Sequence, residues 1–438
     1  MVAARNDIGT RSMSLGREAK GGQVLCFAVV AAFLSAVPAH GQSVLRGGVA
    51  VRQGYDSNIN RAYQGRQTEW TSSVSPSVSI TTTRSTDSFF VQYAPEVVYS
   101  HRTDTERIDH SLAARAEKMF AERLRGYLSD TYRRAEDPYD DQEAGIQLAD
   151  QRGRNRYWIN NGTLGGEYEF AQESFLGLSY QHQVLRNDGA GQDDFTKQTP
   201  QVSLSYRLSH QWQTKIDYAF TKGDFDISDD LKSNTIDWTL SFLQTPEASI
   251  FGHYGFSETD YDGLQTDFDR QNISLGYERT FSPTLAGSLE AGTAFLDRDG
   301  QAGSDSFFFR LSLDKKFRRG TLAFSSAGGM DEQQFDGNAG ANLSRYWQAQ
   351  ARFDYKLGKD LAASGHCRYR EDDYLDSAAS TDKQNLQAEV ALTYSFLRWY
   401  KASLKYAYTT QNADVITDQY NDNRVVVELS AAHDLLKW

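Results

Sequence analysis

The sequence predicts an all-β fold, a transmembrane antiparallel β-barrel of about 20 strands (range 16–20), with short periplasmic turns and long extracellular loops. Three observations predict it. Apolar and polar residues alternate with a period of two from residue 44 onward, and the connections between these segments are short and long in turn. Beyond residue 41 no apolar run is long enough for a membrane-spanning helix, so any crossing must use strands.

The first 41 residues are predicted to be a signal peptide. Arginines and a lysine precede an apolar run, Val24–Val37, that is too short to cross a bilayer as a helix. Small residues at Ala39 and Gly41 then supply a cleavage site. We therefore expect an exported protein whose residues 42–438 form a single barrel domain, localised in the outer membrane of a Gram-negative bacterium as a multi-pass protein.

The alternation is clearest in the segment 69–83. Its apolar residues share one parity and its hydroxyl residues share the other, namely Trp70, Val74, Pro76, Val78 and Ile80 against Ser73, Ser75, Ser77, Ser79 and Thr81. About twenty segments of roughly 9–13 residues repeat this pattern, which is the length that a tilted membrane strand needs. Two prolines, Pro76 and Pro95, interrupt neighbouring segments and are expected to mark a bulge or the barrel rim.

The connections and the aromatic residues give the predicted strands an orientation. Short connections such as 171–173, 245–247 and 318–320 alternate with long polar ones such as 186–197 and 222–232. Aromatic residues recur at both ends of the segments, as expected for two interfacial girdles. The girdle near the short turns comprises Tyr168, Phe170, Phe281, Phe317, Tyr394 and Phe396, and the other comprises Tyr99, Tyr180, Phe220, Phe256 and Tyr408.

The composition excludes several classes of protein. The net charge of −12 argues against a nucleic-acid partner, because phosphate contacts need clustered basic residues. Of the two cysteines, Cys26 falls in the predicted signal peptide and Cys367 remains alone, which excludes an internal disulfide in the mature chain. The 39% of hydrophobic residues is compatible with a barrel, since only alternate strand residues face lipid.

Charged residues of both signs fall on the parity that is predicted to face the interior. The pore-lining candidates are Lys215, Asp217, Arg352, Asp354, Lys356, Glu389 and Lys405. Opposed charges inside a wide barrel orient water and select among solutes. The alternative is that any wet interior needs paired polar residues of this kind.

We predict no enzymatic activity, no cofactor and no metal site. The sequence has no nucleophile elbow, zinc-helix motif or phosphate loop. A catalytic Ser/His pair assembled from separate strands stays open for His182, His253 or His366. The acidic stretches Asp224–Asp230 and Asp260–Asp269 could bind divalent cations, but lack the ligand spacing of a calcium loop and are more simply solvated loops.

Three short motifs resemble a known family. They are GYDSNI at 54–59, RLRGYLSDTYRRAEDP at 123–138 and the tripeptide Asn423–Val425. They are similar to those of the beta-barrel porin 2-like outer-membrane porins that accompany exopolysaccharide and capsule gene clusters. The resemblance implies a barrel without a cofactor that forms the outer-membrane step of polysaccharide secretion.

Two other functions stay open at this point. One is a general porin for small solutes, and the other is a structural or adhesive surface barrel. The expected partners are outer-membrane lipids and lipopolysaccharide, together with a polysaccharide cargo and periplasmic export components.

Overall fold

The computed structural model describes residues 42–136, 140–141, 146–147, 155–189, 192–300, 302–333, 335, 342–375 and 382–438. The predicted signal peptide, residues 1–41, lies outside the described residues and stays a prediction. Within the described ranges, no helix is long and apolar enough to cross a membrane.

The described residues form β-strands almost throughout, with one 3₁₀ turn at Ile416–Asp418. In chain order the strands are β1 (Gln42–Asp56), β2 (Glu69–Thr83), β3 (Ser88–Ser100), β4 (Thr105–Ala121), β5 (Leu124–Ala135), β6 (Asp140–Asp141), β7 (Ile146–Gln147), β8 (Tyr157–Ala171), β9 (Ser174–Asn187), β10 (Phe195–Arg207), β11 (Trp212–Phe225), β12 (Leu231–Thr245), β13 (Ala248–Tyr261), β14 (Phe268–Ser282), β15 (Leu285–Arg298), β16 (Ser304–Phe317), β17 (Gly320–Gln333), β18 (Asn342–Lys356), β19 (Leu361–Tyr374), β20 (Lys383–Phe396), β21 (Tyr400–Ala413) and β22 (Tyr420–Lys437).

Twenty of these strands form one closed antiparallel sheet, which confirms the predicted fold class. Each strand pairs with its neighbour in sequence, β5 pairs with β8, and β1 pairs with β22 to close the cylinder. The two-residue strands β6 and β7 pair with each other and form a separate small sheet. Closure removes the free edges, whose unpaired N–H and C=O groups would be costly in hydrocarbon.

The barrel strands are longer than the 9–13 residues that the sequence pattern predicts. They run from the 12 residues of β5 to the 18 of β22. Backbone pairing continues into the polar segments that were predicted to be loops, for example through Lys222–Phe225 of β11. A ladder needs only backbone groups, so it extends beyond the point where the side-chain alternation fades.

The strand pairing explains two further features of the sequence, the prolines of β2 and β3 and the broken alternation at the C-terminus. Pro76 lies opposite Pro95, and the β2–β3 register is the same on both sides of them, so no bulge is present at this point. At the C-terminus the alternation is broken after Ala431. Nevertheless β22 continues to Lys437, and the register shift opposite Leu45 inserts Leu435 as a bulge that resets the alternation.

Candidate functional site

The barrel has an apolar outer face. In β2, Trp70 and Val78 are exposed, whereas Ser73 and Ser75 of the opposite parity are buried. The same division continues around the sheet, where outward side chains such as Leu275 and Phe307 are 65% and 66% exposed. A water-soluble protein rarely exposes a continuous apolar surface of this extent, so this face is suited to lipid.

The predicted short-turn girdle lies on this outer face. Tyr168, Phe281, Phe317 and Tyr394 are exposed close to the ends of their strands, next to two- or three-residue connections. Aromatic side chains at the end of an apolar band are typical of a membrane interface. Tyr180, which was predicted for the other girdle, is exposed on the outer face but lies in the middle of β9.

The inner face encloses a polar cavity of about 460 Å³ between strands β1–β5 and β20–β22. These strands are neighbours only because β1 and β22 pair. The charged residues that line the cavity are Arg52, Glu96, Arg107, Asp109, Arg133, Arg134, Glu389, Lys405, Arg424 and Glu428. Both signs of charge are present, together with serine and threonine hydroxyls.

Arg52 connects three strands at this cavity. Its Nη1 lies 2.9 Å from Oε1 of Glu96 in β3, and its Nε donates to Oε2 of Glu428 in β22 at 2.6 Å. Ser73 of β2 donates a 2.5 Å hydrogen bond to Glu96. The guanidinium is planar and presents several donors at once, so it can hold two carboxylates in a fixed arrangement and still face water.

The seven pore-lining candidates all lie on strands, and six of them form three separate ion pairs. Lys405 and Glu389 are 2.6 Å apart and line the cavity. Lys215 pairs with Asp217 at 2.8 Å on β11, and Arg352 pairs with Asp354 at 3.4 Å on β18. Lys356 is at the end of β18, beside the short connection 357–360. Whether these groups border a conduction path stays a prediction.

Most of the charged residues of the cavity were not predicted from the sequence; of these, only Glu389 and Lys405 were pore-lining candidates. Arg52, Arg107 and Arg424 share the parity of inward residues, so alternation alone assigns them to the interior. Alternation does not show that they share one cavity with Glu96, because that depends on which strands close the barrel. The N-R-V motif of Asn423–Val425 was a usable signal, since Arg424 belongs to it.

Phe335, two positions after the end of β17, contacts strands that lie far around the barrel. Phe335 packs against Phe195 of β10 and Phe225 of β11, with ring centroids 5.2 Å apart in both pairs. The Lys197 ammonium lies 4.4 Å from the centre of the Phe335 ring. Five strands separate β11 from β17 in the wall, so this contact spans the interior rather than following the sheet.

Two features of the wall lie next to Phe335 and the end of β17. Gly223 of β11 has no side chain, and a Cβ atom there would lie 2.8 Å from the Phe335 ring. Glu332 lies 3.5 Å from the guanidinium of Arg270 in β14, which also donates to the Met330 carbonyl. Phe335 packs against two clusters of buried apolar side chains, one that includes Leu231, Phe268, Leu296 and Phe308, and another that includes Tyr157, Ile159, Leu185 and Phe195.

His253 contacts two carboxylates of the barrel interior. Its two ring nitrogens lie 3.2 Å from Asp237 and 3.1 Å from Glu290, and Ser274 donates to Glu290 at 2.5 Å. A serine nucleophile needs its hydroxyl on an imidazole nitrogen. Here both nitrogens face carboxylates, so Ser274 and His253 are not arranged as a nucleophile and its base. Among the described residues, no cluster of histidine, cysteine and acidic side chains could hold a metal ion.

Comparisons with known families match two parts of the chain. The family described as "Putative beta-barrel porin 2" matches residues 332–433, and the family described as "Surface lipoprotein assembly modifier" matches residues 154–301. No curated protein matches the sequence.

Solved structures share the fold at low sequence identity. The siderophore receptor PirA from Pseudomonas aeruginosa has a TM-score of 0.50 at 10% identity, covering 89% of this chain and 80% of the receptor chain. PirA from Acinetobacter baumannii has a TM-score of 0.52 at 8% identity, with the same coverage. A ferric enterobactin receptor (PfeA) mutant from Pseudomonas aeruginosa has a TM-score of 0.51 at 8% identity, covering 89% of this chain and 81% of the receptor chain. These likenesses show the fold alone.

The closed cylinder, its apolar outer face and the family matches define a class. The chain is a multi-pass β-barrel of the bacterial outer membrane, with the fold of outer-membrane channels and transporters. Within that class, parts of it are similar to the beta-barrel porin 2 family and to the surface lipoprotein assembly modifiers.

Proposed function

We propose that this barrel is a channel that forms the outer-membrane step of exopolysaccharide or capsule secretion. The observation that carries the proposal is the cavity between β1–β5 and β20–β22, which is lined by carboxylates, guanidinium groups and hydroxyls. Sugar hydroxyls both donate and accept hydrogen bonds, so a wall with donors and acceptors close together suits them. A wall of one sign of charge would select simple ions instead.

The family match supports the same proposal. Residues 332–433 include four charged residues of the cavity, namely Glu389, Lys405, Arg424 and Glu428. The second matched region, 154–301, includes none of the cavity residues, so the cavity gives no support to a role in lipoprotein assembly. The beta-barrel porin 2 likeness is therefore the one that coincides with the polar wall.

A general porin for small solutes is the second candidate. The contacts of Phe335 favour it, because its ring occupies space beside Phe195 of β10 and Phe225 of β11 on the inner side of the wall. A narrow passage suits monosaccharides or ions better than a growing polymer.

Deletion of the gene in its own host separates the two candidates. We expect secreted polysaccharide to fall and to return when the wild-type chain is restored. Complementation with Arg52→Ala should restore less polysaccharide than Lys215→Ala, because Lys215 does not line the cavity. Normal polysaccharide together with impaired uptake of small solutes would refute the secretion role and support the porin.

A further inference from the structure

Pro76 of β2 and Pro95 of β3 lie directly opposite each other in the barrel wall. The ladder pairs Val74 with Val97 and Val78 with Tyr93, and this fully described strand pair has no backbone pairs in between. Proline has no N–H group, so neither residue can donate the hydrogen bond that its partner's carbonyl would accept. Backbone pairing is therefore interrupted over about 13 Å of strand, at roughly 3.3 Å per residue. We call this interruption the β2–β3 seam.

The seam lies in the apolar part of the wall. Pro76 is the central residue of β2, seven positions from Glu69 and seven from Thr83. Its outward neighbours Val74 and Val78 are exposed and apolar. The interruption in backbone pairing therefore lies where the outer face of the wall contacts lipid. Hydrocarbon offers no donor to a carbonyl that has lost its ladder partner.

The polar cavity lies directly behind the seam. Ala94 and Glu96, the sequence neighbours of Pro95, line the cavity, and so does Ser73, three positions before Pro76. Basic side chains surround the same cavity, including Arg52, Arg107, Arg133 and Arg424. The seam thus separates the bilayer from a wet compartment that carries several guanidinium groups.

Another proline in the wall has a different setting. The β10–β11 ladder skips Thr199 and Pro200, but the Thr199 and Thr221 hydroxyls are 3.2 Å apart and bridge the two strands. The β9–β10 ladder continues past Pro200 without a gap. This site faces no part of the cavity between β1–β5 and β20–β22, and it serves as a matched control.

We propose that the β2–β3 seam is a lateral opening between the cavity and the bilayer, which admits the head group of an anionic amphiphile. The head group enters between Pro76 and Pro95 and pairs with the cavity arginines, while its acyl chains stay against Val74 and Val97. Entry requires β2 and β3 to move apart between the Val74–Val97 and Val78–Tyr93 pairs, a stretch in which no backbone hydrogen bond joins the two strands.

The test uses single cysteines in a Cys367→Ser background, because Cys367 is exposed. Ala94→Cys places a thiol in the cavity at the seam. Ala323→Cys is the control. Ala323 of β17 pairs with the inward-facing Arg352 of β18, so its side chain also faces the interior, but it lies away from the seam. Each variant is reconstituted in phosphatidylcholine vesicles and treated with a long-chain alkyl maleimide, which stays in the bilayer, or with a sulfonated maleimide, which stays in water.

We expect the sulfonated maleimide to label both cysteines and the alkyl maleimide to label Ala94→Cys severalfold faster than Ala323→Cys. Adding Pro76→Val and Pro95→Val restores two ladder donors and should lower alkyl labelling to the level of the control. Pro200→Val should leave it unchanged. Equal alkyl labelling of the two cysteines, or undiminished labelling in the double valine variant, would overturn the opening.

Head-group charge is tested with two more alkyl maleimides. One carries a phosphate beside the reactive ring and the other a quaternary ammonium. The phosphate probe should label Ala94→Cys severalfold faster, and Arg107→Gln together with Arg424→Gln should remove the difference. Equal rates in the parent would overturn the anionic preference.

Discussion

Arg52 of the first barrel strand donates to Glu428 of the last strand at 2.6 Å, across the strand pair that closes the cylinder. The two residues are 376 positions apart in the chain. The ion pair therefore forms only when the barrel is closed, and the cavity beside it is a product of closure.

Replacing Arg52 with alanine should make the channel more cation-selective. The change leaves Glu96 and Glu428 near each other without the cation between them. Reversal potentials in a KCl gradient across a planar bilayer measure the shift. The loss of unfolding free energy should be modest, about 1 kcal/mol, because the pair is partly exposed to water.

Lys215→Ala is the matched control for this prediction. It also removes one ion pair, with Asp217, but outside the cavity. An equal change in selectivity in both variants would show that the cavity does not set the selectivity.

Replacing Phe335 with alanine should increase single-channel conductance. The ring contacts Phe195 of β10 and Phe225 of β11, and the substitution removes both contacts. Gly223→Val should act in the same direction, because its side chain would occupy the place of the Phe335 ring. Phe307→Ala, on the exposed outer face, is the control. Unchanged conductance in both Phe335→Ala and Gly223→Val would show that the connection does not obstruct the interior.

Arginine should be tolerated on the inner face and not on the outer one. Ile273 is 53% exposed on the outer face in the middle of β14, and Asn272 has the opposite parity. Ile273→Arg should lower the unfolding free energy by about 2–4 kcal/mol, the cost of a cation at the bilayer midplane. Asn272→Arg should cost much less. Urea unfolding in lipid vesicles measures both, and the reverse order would contradict the assigned faces.

Asp382→Asn should stabilise the barrel at neutral pH and not in acid. Burial, followed by the nearby Asp373 and Asp414 carboxylates, raises the pKa of Asp382, which precedes β20. A carboxyl whose pKa is raised on folding favours the folded state most when it is protonated, so its unfavourable effect appears as pH rises. The melting temperatures of the two proteins in detergent should therefore differ at neutral pH and converge near about pH 3, below the usual carboxyl pKa. A difference that grows toward low pH would contradict this sign.

Strand order and membrane faces were predictable because alternation is a local property. The apolar parity of 69–83 fixes which side of β2 faces lipid, whatever the rest of the chain does. Strand ends were less predictable, since the ladder of β11 continues through Lys222–Phe225 after the apolar pattern has ended. Leu435 shows the same limit, because a bulge and a strand end look alike in sequence.

By itself, the sequence determined an exported all-β chain with about twenty alternating segments, because a period of two and the lack of long apolar runs depend only on neighbouring residues. Only the tertiary structure decided that Arg52 meets Glu428, that Pro76 faces Pro95 with the cavity behind them, and that Phe335 reaches Phe195 across the interior. These contacts depend on register and on closure, which join residues far apart in the chain and leave no local signature in the sequence.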